Sequence, residues 1–294
     1  MLLTLAHLQI SPQKLLHRKL RDRGYFPRKY YSKATGYYNK PTEHQYASYG
    51  PKIVDAIKRN QPNEFRLMLE AGLSPNACNE HGESLLHLIC RHDKVELFRI
   101  LIAFDVDLQQ CDDYGRTPMH DACWASNPSF EIARCLLKKD PNFLFIYDDR
   151  GMHPLNYVTK SNWALWEDFL ETCLDDFCPA HDVNKNRTPV LCTMAANSRP
   201  VPDPKGKIEA TLANMVASGA MSAYDAIVAA EADEETTVAC SEIDFDDMTS
   251  YYDSSDDEDY YDSTSDLDSD EEDELFEIFG DTQELRLDKI EEEE

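Results

Sequence analysis

Gly115-Arg116-Thr117-Pro118-Met119-His120 decides the reading because the hexad returns along the chain. Gly82-Glu83-Ser84-Leu85-Leu86-His87 stands 33 residues earlier, and Gly151-Met152-His153-Pro154-Leu155-Asn156 stands 36 later. Each residue type has a local role. Glycine supplies the positive φ of a tight turn. Thr117 can cap a helix whose first position is Pro118, where no backbone donor is missed. His87 and His120, one turn further in, are placed to hydrogen-bond between neighbouring turns. The repetition extends beyond the hexads. Phe65-Arg66-Leu67-Met68-Leu69-Glu70-Ala71-Gly72 aligns with Phe98-Arg99-Ile100-Leu101-Ile102-Ala103-Phe104-Asp105, 33 apart, and Ala133-Arg134-Cys135-Leu136-Leu137-Lys138-Lys139-Asp140 follows 35 later. The spacing predicts one helix over 85–92 and a second over 95–104, with Leu97, Ile100, Leu101 and Phe104 on one apolar face. Neither helix can bury that face alone, so at least three such pairs must stack.

Four helical pairs are expected, at 51–72, 84–105, 117–140 and 153–174. The first lacks the hexad, and the fourth puts Asn156 in the histidine place and carries Trp163 and Trp166 in its second helix, departures that suit terminal repeats. A fifth start, Asn186-Arg187-Thr188-Pro189-Val190-Leu191, runs into Pro200, Pro202 and Pro204 and reads as a truncated cap. Alanine-rich stretches at 207–218 and 222–232 have good helix propensity and are expected to close the C-terminal end of the stack. The sequence resembles the ankyrin repeat family through its G-x-T-P-L-H hexads, its L-L-x-x-G segments (Met68-Leu69 to Gly72) and Pro75-Asn76-Ala77. That resemblance implies an all-α ankyrin-repeat solenoid of stacked helix pairs with hairpin loops over residues 50–200. A linker and capping helices follow at 201–232.

Charge sets the boundaries at either end. The chain has 294 residues and a net charge of -27 from 56 acidic and 29 basic side chains. From 231 to 294 there are 29 acids and two bases, so the first 230 residues are neutral. The imbalance belongs to a disordered acidic tail, residues 233–294. Residues 1–49 hold nine Lys or Arg, two acids and seven of the fifteen tyrosines. Frequent Gly and Pro there predict a short amphipathic start and then an irregular basic arm. Met1 onward to residue 20 is free of acids, which also fits an organellar presequence, although Ser and Arg are sparse in its first ten residues. No stretch is apolar enough for a membrane helix, which predicts a soluble protein. A neutral body argues against strong nucleic-acid binding. The nine cysteines lack the tight spacing of a secreted disulfide framework and point to a reducing compartment, cytoplasmic or nuclear.

The family binds partners on the concave face formed by finger loops and inner helices. By register the fingers are 78–81, 111–114 and 147–150. The resemblance therefore nominates Glu80, His81, Asp113, Tyr114, Asp149 and Arg150 from the fingers. From the inner helices it adds Arg91, His92, Asp121, Trp124 and Tyr157. Tyr, Trp and Arg dominate interface energies. The charged finger positions are mostly acidic, which favours a basic protein partner; a monomer without a small-molecule substrate is expected. Asp112 and Asp148 match a position that stabilises the finger turn. Cys173, Cys178 and His181 have zinc-ligand chemistry, but their spacing is wrong and a fourth ligand is not evident, so no metal is expected. No phosphate loop, nucleophile elbow, zincin helix or kinase set occurs, so neither a catalytic residue nor a cofactor is assigned.

In the tail, Ser254, Ser255, Ser265 and Ser269 each precede an acid by three residues and resemble substrates of an acidophilic kinase such as casein kinase 2. Leu275-Phe276-Glu277-Ile278-Phe279 interrupts the acid with apolar residues. The expected function is a non-enzymatic protein-protein interaction module with a regulatory tail. The alternative is an acidic tail that itself binds basic, histone-like proteins or regulates transcription. In a third arrangement the basic arm folds onto the tail.

Overall fold

A computed structural model describes residues 10–25, 29–128, 130–178, 201, 203–204 and 207–230. The fifth hexad, His181, the tail serines and the apolar tail segment lie outside the described residues.

The chain opens with α1 (Pro12–Asp22), the short strand β1 (Tyr30–Tyr31) and α2 (Glu43–Ala47). The repeats follow as α3 (Pro51–Lys58) with α4 (Pro62–Glu70), α5 (Leu85–Arg91) with α6 (Val95–Ala103), and α7 (Pro118–Trp124) with α8 (Phe130–Lys139). A second strand, β2 (Ile146–Tyr147), precedes a 3-10 turn at Pro154–Tyr157, then α9 (Trp163–Phe177) and, last, α10 (Ala210–Ser218). The fourth pair is thus incomplete, its first helix shortened to 3-10 turns.

Hexad chemistry sets each start. Ser84 and Thr117 are the N-caps of α5 and α7, with Pro118 in the first turn of α7. Glycines 82, 115 and 151 have φ of 72, 77 and 76°. Asn60 and Asp93, 33 residues apart, turn each first helix into its second from the left-handed region (φ 54 and 53°), a conformation that Asn and Asp tolerate better than other residues with a side chain. The apolar stripes then meet in one continuous core, with Ile57, Phe65, Leu85, Ile89, Phe98, Leu101, Leu136 and Trp166 fully buried.

The ends of the stack are closed crosswise. α10 packs on α2 and α3, at the first repeat, and not on the last repeat as its place in the sequence suggests. Gly50 makes this fit possible: a β-carbon there would lie 2.7 Å from the Ala217 carbonyl carbon and oxygen. The last repeat is closed instead by α1, which packs on α9 and the Pro154–Tyr157 turn and buries Leu16 and Leu20 completely. Lys19 pairs with Glu171 at 2.5 Å and Arg23 with Asp175 at 2.6 Å. Two cations four residues apart meet two acids four residues apart on the facing helix.

Between these caps, residues 29–48 form a strap along the fingers, where an irregular arm was expected. Tyr30 and Tyr31 pair in parallel with Ile146 and Tyr147. The Cys111 N–H donates to Tyr37 O (3.0 Å), and the Cys78 N–H to Gln45 O (3.3 Å). Every finger thus has a backbone contact with the strap. The Tyr37 hydroxyl reaches Asp140 just past α8 (2.5 Å), and its ring packs edge-on against Phe143 (5.3 Å). The strap therefore lies on the side of the fingers that faces the second helices. The Ser32 hydroxyl donates to Gly115 O at 2.6 Å, with Ser32 fully buried.

Gly115 and Gly151 separate backbone strain from strap contact. A β-carbon at Gly115 would meet Ser32 Oγ at 2.6 Å, whereas at Gly151 it would meet nothing within 4 Å. Both positions carry the left-handed cost of roughly 1–2 kcal/mol for a residue with a side chain. Gly151→Ala should lose about that much in urea unfolding. Gly115→Ala should lose roughly 1–3 kcal/mol more, because the buried hydrogen bond from Ser32 is broken as well. Equal losses in the two variants would show that the strap does not press on the central finger.

Candidate functional site

The fingers are closed by their own side chains. Asn79 Oδ1 accepts the N–H groups of His81 and Glu83, both at 3.0 Å. Asp112 Oδ1 accepts those of Tyr114 (3.0 Å) and Arg116 (2.7 Å), and Asp148 Oδ1 that of Met152 (2.8 Å). These three positions repeat at the hexad spacing. Asp112 and Asp148 thus serve the turns.

A histidine ladder joins α5 and α7 each to the backbone just past the next finger. Ser84 N–H donates to His87 Nδ1 (3.2 Å), and His87 Nε2 faces Arg116 O at 3.0 Å. Thr117 N–H donates to His120 Nδ1 (3.0 Å), whose Nε2 faces Met152 O at 3.3 Å. Because Nδ1 accepts, the proton belongs on Nε2, which donates to the carbonyl. In the fourth repeat Asn156 accepts the His153 N–H (3.0 Å) and passes the connection to Gln13 of α1 at 2.8 Å. The terminal cap takes the place of a further finger.

On the first-helix side the nominated residues fall into two groups. Arg91, Asp121, Trp124 and Tyr157 come together. Arg91 donates from Nε to Asp121 (2.7 Å) and from Nη2 to Glu83 (2.5 Å), and its guanidinium carbon lies 5.0 Å from the Trp124 ring centroid. Tyr157 lies 5.9 Å from Trp124 and 5.6 Å from His120, and its hydroxyl donates to Asp148. Burial pushes the Asp121 carboxyl up, but Arg91, with His87 and Arg116, holds it below the usual range. Burial and then Asp148 push the Tyr157 hydroxyl up. Two carboxylates thus share the one charge of Arg91, and Arg91, Trp124 and Tyr157 are half-buried, leaving part of the aromatic surface open to solvent. Asp121 is fully buried, so it orients Arg91 and offers a partner nothing.

The finger residues do not form one patch. Tyr114 is 47% exposed, near His81 (6.2 Å) and under the Arg116 guanidinium (5.2 Å). Glu80, His81, His92 and Arg150 are exposed. Asp113 accepts the Tyr38 hydroxyl (3.0 Å), and Asp149 pairs with Lys33 at 2.6 Å. The strap therefore supplies partners to two of the acids that argued for a basic ligand. Glu83 and Arg116 belong to the site although they were not nominated; both sit inside the hexads, where capping roles draw the eye first.

Cys90 and Cys123 are buried, with thiols pushed well up by desolvation, and Cys78 and Cys111 are raised to about 12. They behave as small hydrophobes. Among the described residues no group of three His, Cys, Asp or Glu could hold a metal ion.

Residues 53–146 match the model for ankyrin repeats, in three copies. The matched segment is a protein-interaction fold. The chain is 27% identical over 124 residues to a Caenorhabditis elegans protein, calmodulin-binding transcription activator homolog 1, covering 40% of this chain and 10% of that one. It is 27% identical over 111 residues to the mouse (Mus musculus) B-cell lymphoma 3 protein homolog, covering 36% and 24%. It is 34% identical over 98 residues to the Arabidopsis thaliana ADP-ribosylation factor GTPase-activating protein AGD4, covering 33% and 12%. The similarity thus spans a quarter or less of these relatives' lengths.

The buried histidines make stability depend on pH. Burial lowers His153 to about 3 and His120 to about 4, from 6.5. Below 6.5 the unfolded chain takes up protons that the folded chain refuses, so stability is full above that pH and falls as pH drops below it. Between pH 7 and 5 each histidine should cost about 2 kcal/mol. His153→Asn, which keeps an acceptor for the Leu155 N–H, should flatten the dependence of the urea midpoint on pH. An unchanged slope would remove His153 from this account.

Proposed function

We propose that the protein is a non-enzymatic interaction module whose partner-binding surface is the concave row of Tyr114, Arg91, Trp124 and Tyr157, flanked by His81, His92 and Arg150. One observation carries this reading: Trp124 lies against both the Arg91 guanidinium (5.0 Å) and the Tyr157 ring (5.9 Å), with Arg91 held by Glu83 and Asp121. A preorganised Trp, Tyr and Arg cluster loses little side-chain entropy on binding and contains the residue types that dominate interface energy. The acidic segment, with Ser254, Ser255, Ser265 and Ser269 as phosphate acceptors, serves as a regulatory tail in the cytoplasm or nucleus.

Charge favours a second reading, in which the 29 acids after residue 230 bind basic, histone-like proteins or act in transcription. The relative named a transcription activator homolog is in keeping with it.

Affinity capture with the full chain and with Tyr114→Ala/Trp124→Ala distinguishes the two. The concave reading expects partner recovery to fall at least about tenfold while urea stability stays close to that of the parent. If recovery is unchanged in this variant but lost, together with its salt dependence, on deleting residues 231–294, the tail is the binding element.

A further inference from the structure

Glu80, Asp113 and Asp149 hold the same place in the three fingers, 33 and 36 residues apart. The strap treats them differently. The Asp113 N–H donates to His81 O (2.9 Å) and the Asp149 N–H to Tyr114 O (3.0 Å), so these two acids stand at equivalent steps between fingers. At the second step the strap brings a lysine: Lys33 Nζ lies 2.6 Å from Asp149 Oδ2 and 5.9 Å from the centre of the Tyr38 ring. At the first step it brings the Tyr38 hydroxyl, which donates to Asp113 Oδ1 at 3.0 Å. A phenol offers a hydrogen bond without a charge, and no cation pairs with Asp113 among the described residues. Asp113 and Tyr38 line a cavity of about 20 Å³ together with Asn39, Gln45, Asn76 and Gln110. Three of these amides are engaged. Gln45 Nε2 donates to Val201 O (3.3 Å), Gln110 Nε2 donates to Asp107 O (2.6 Å), and Asn76 Oδ1 accepts the Asp107 N–H (2.8 Å). Asn39 is the exception: both polar atoms of its carboxamide are buried and have no hydrogen-bond partner among the described residues. A buried amide left unpaired is costly, which marks this as a place where a further group bonds.

We infer that this cavity, where the strap meets the first two fingers, receives a lysine side chain of a partner protein with Asp113 as its counter-charge. An ammonium has three donors, for the Asp113 carboxylate, Asn39 Oδ1 and the Tyr38 hydroxyl oxygen. Asn39 Nδ2 keeps a donor for a main-chain carbonyl of the same segment. Lys33 at the second step already makes the equivalent bond within the chain, and Tyr38 serves both steps, its ring facing Lys33 and its hydroxyl Asp113. Size selects the residue. About 20 Å³ admits a group the size of one water, which an ammonium is and a planar guanidinium is not. The neighbouring charges agree. Arg116 matches Asp112 at 2.7 Å and Lys33 matches Asp149, whereas Asp113 has a hydroxyl and exposed Glu80 faces only His81, at 3.6 Å. Lys40 and Arg150, exposed beside Asn39 and Asp149 in the chain, make no ion pair among the described residues. Lys40 is therefore the competitor from within the chain. The site does not depend on the concave row.

Heteronuclear nuclear magnetic resonance of the full chain tests this through the side-chain amide of Asn39, identified by its loss in Asn39→Ala. The probe is a serine-glycine peptide with one lysine, compared with the same peptide carrying arginine or acetyl-lysine. Reading one amide separates this site from lysine attracted to the acids after residue 230. The lysine peptide should shift the Asn39 amide to saturation, and the arginine and acetyl-lysine peptides should not. Asp113→Asn, which keeps the acceptor for the Tyr38 hydroxyl, should weaken the lysine response at least about tenfold. The acetyl-lysine comparison uses the parent chain and stands even if Asp113→Asn fails to fold. If the amide ignores the lysine peptide in both the parent and Lys40→Gln, the cavity holds water alone and the inference falls. A response that appears only in Lys40→Gln assigns the site to the chain's own lysine and overturns the partner assignment. An equal response to arginine or acetyl-lysine, or one that survives Asp113→Asn, overturns it as well.

Discussion

A stack of helix pairs has two apolar ends, and how they are covered governs the rest of this structure. Internal repeats cover one another, each first helix packing on the next and each histidine reaching the following finger. The terminal faces have no such neighbour. Here α1 covers the last repeat and α10 the first, so the two ends of the described chain cross. Leu16 and Leu20 at one end and Ala213 and Ala217 at the other are as buried as any residue in the middle repeats. Three repeats that match the ankyrin model, with an incomplete fourth pair, thereby acquire a closed core.

The strap follows from this arrangement. To start at the far end and enter the first repeat at Pro51, residues 29–48 must travel the length of the stack. They do so along the fingers, meeting each in turn at Cys78, Cys111 and Tyr147. That path gives Asp113 a hydrogen bond from the Tyr38 hydroxyl, pairs Asp149 with Lys33 and leaves the first-helix side open. On the open side Arg91 joins Glu83 and Asp121 beneath Trp124. Face and charge of the candidate surface both depend on a segment that contains no repeat.

Much of the site was legible in the sequence because ankyrin register is strict. The hexads put Arg91, Trp124 and Tyr157 on inner helices and Tyr114 at a finger tip; the structure places Arg91 and Trp124 at the ends of α5 and α7 and Tyr114 exposed on its finger, but Tyr157 at the end of a 3-10 turn. Asp112 and Asp148 could be assigned to the turns for the same reason. Charge was harder to read. Lys33 and Asp149 are 116 positions apart in sequence, and nothing local to either reveals that strap and finger meet; Asp121 looks like an accessible acid until the fold buries it beside Arg91. The complementary spacings of Lys19 and Arg23 in α1 and Glu171 and Asp175 in α9 were present in the sequence, but matching spacing does not identify a partner without the path of the chain between them.

By itself the sequence determined the helix pairs, their caps, their turns and their stacking order, because those depend on periodicity and on residues within a few positions of one another. Tertiary structure decided which segment covers which end, which side of the fingers stays open and which charges pair. These depend on contacts between residues more than a hundred positions apart, such as Arg23 with Asp175 and Lys33 with Asp149, whose meeting is set by core packing and leaves no periodic trace.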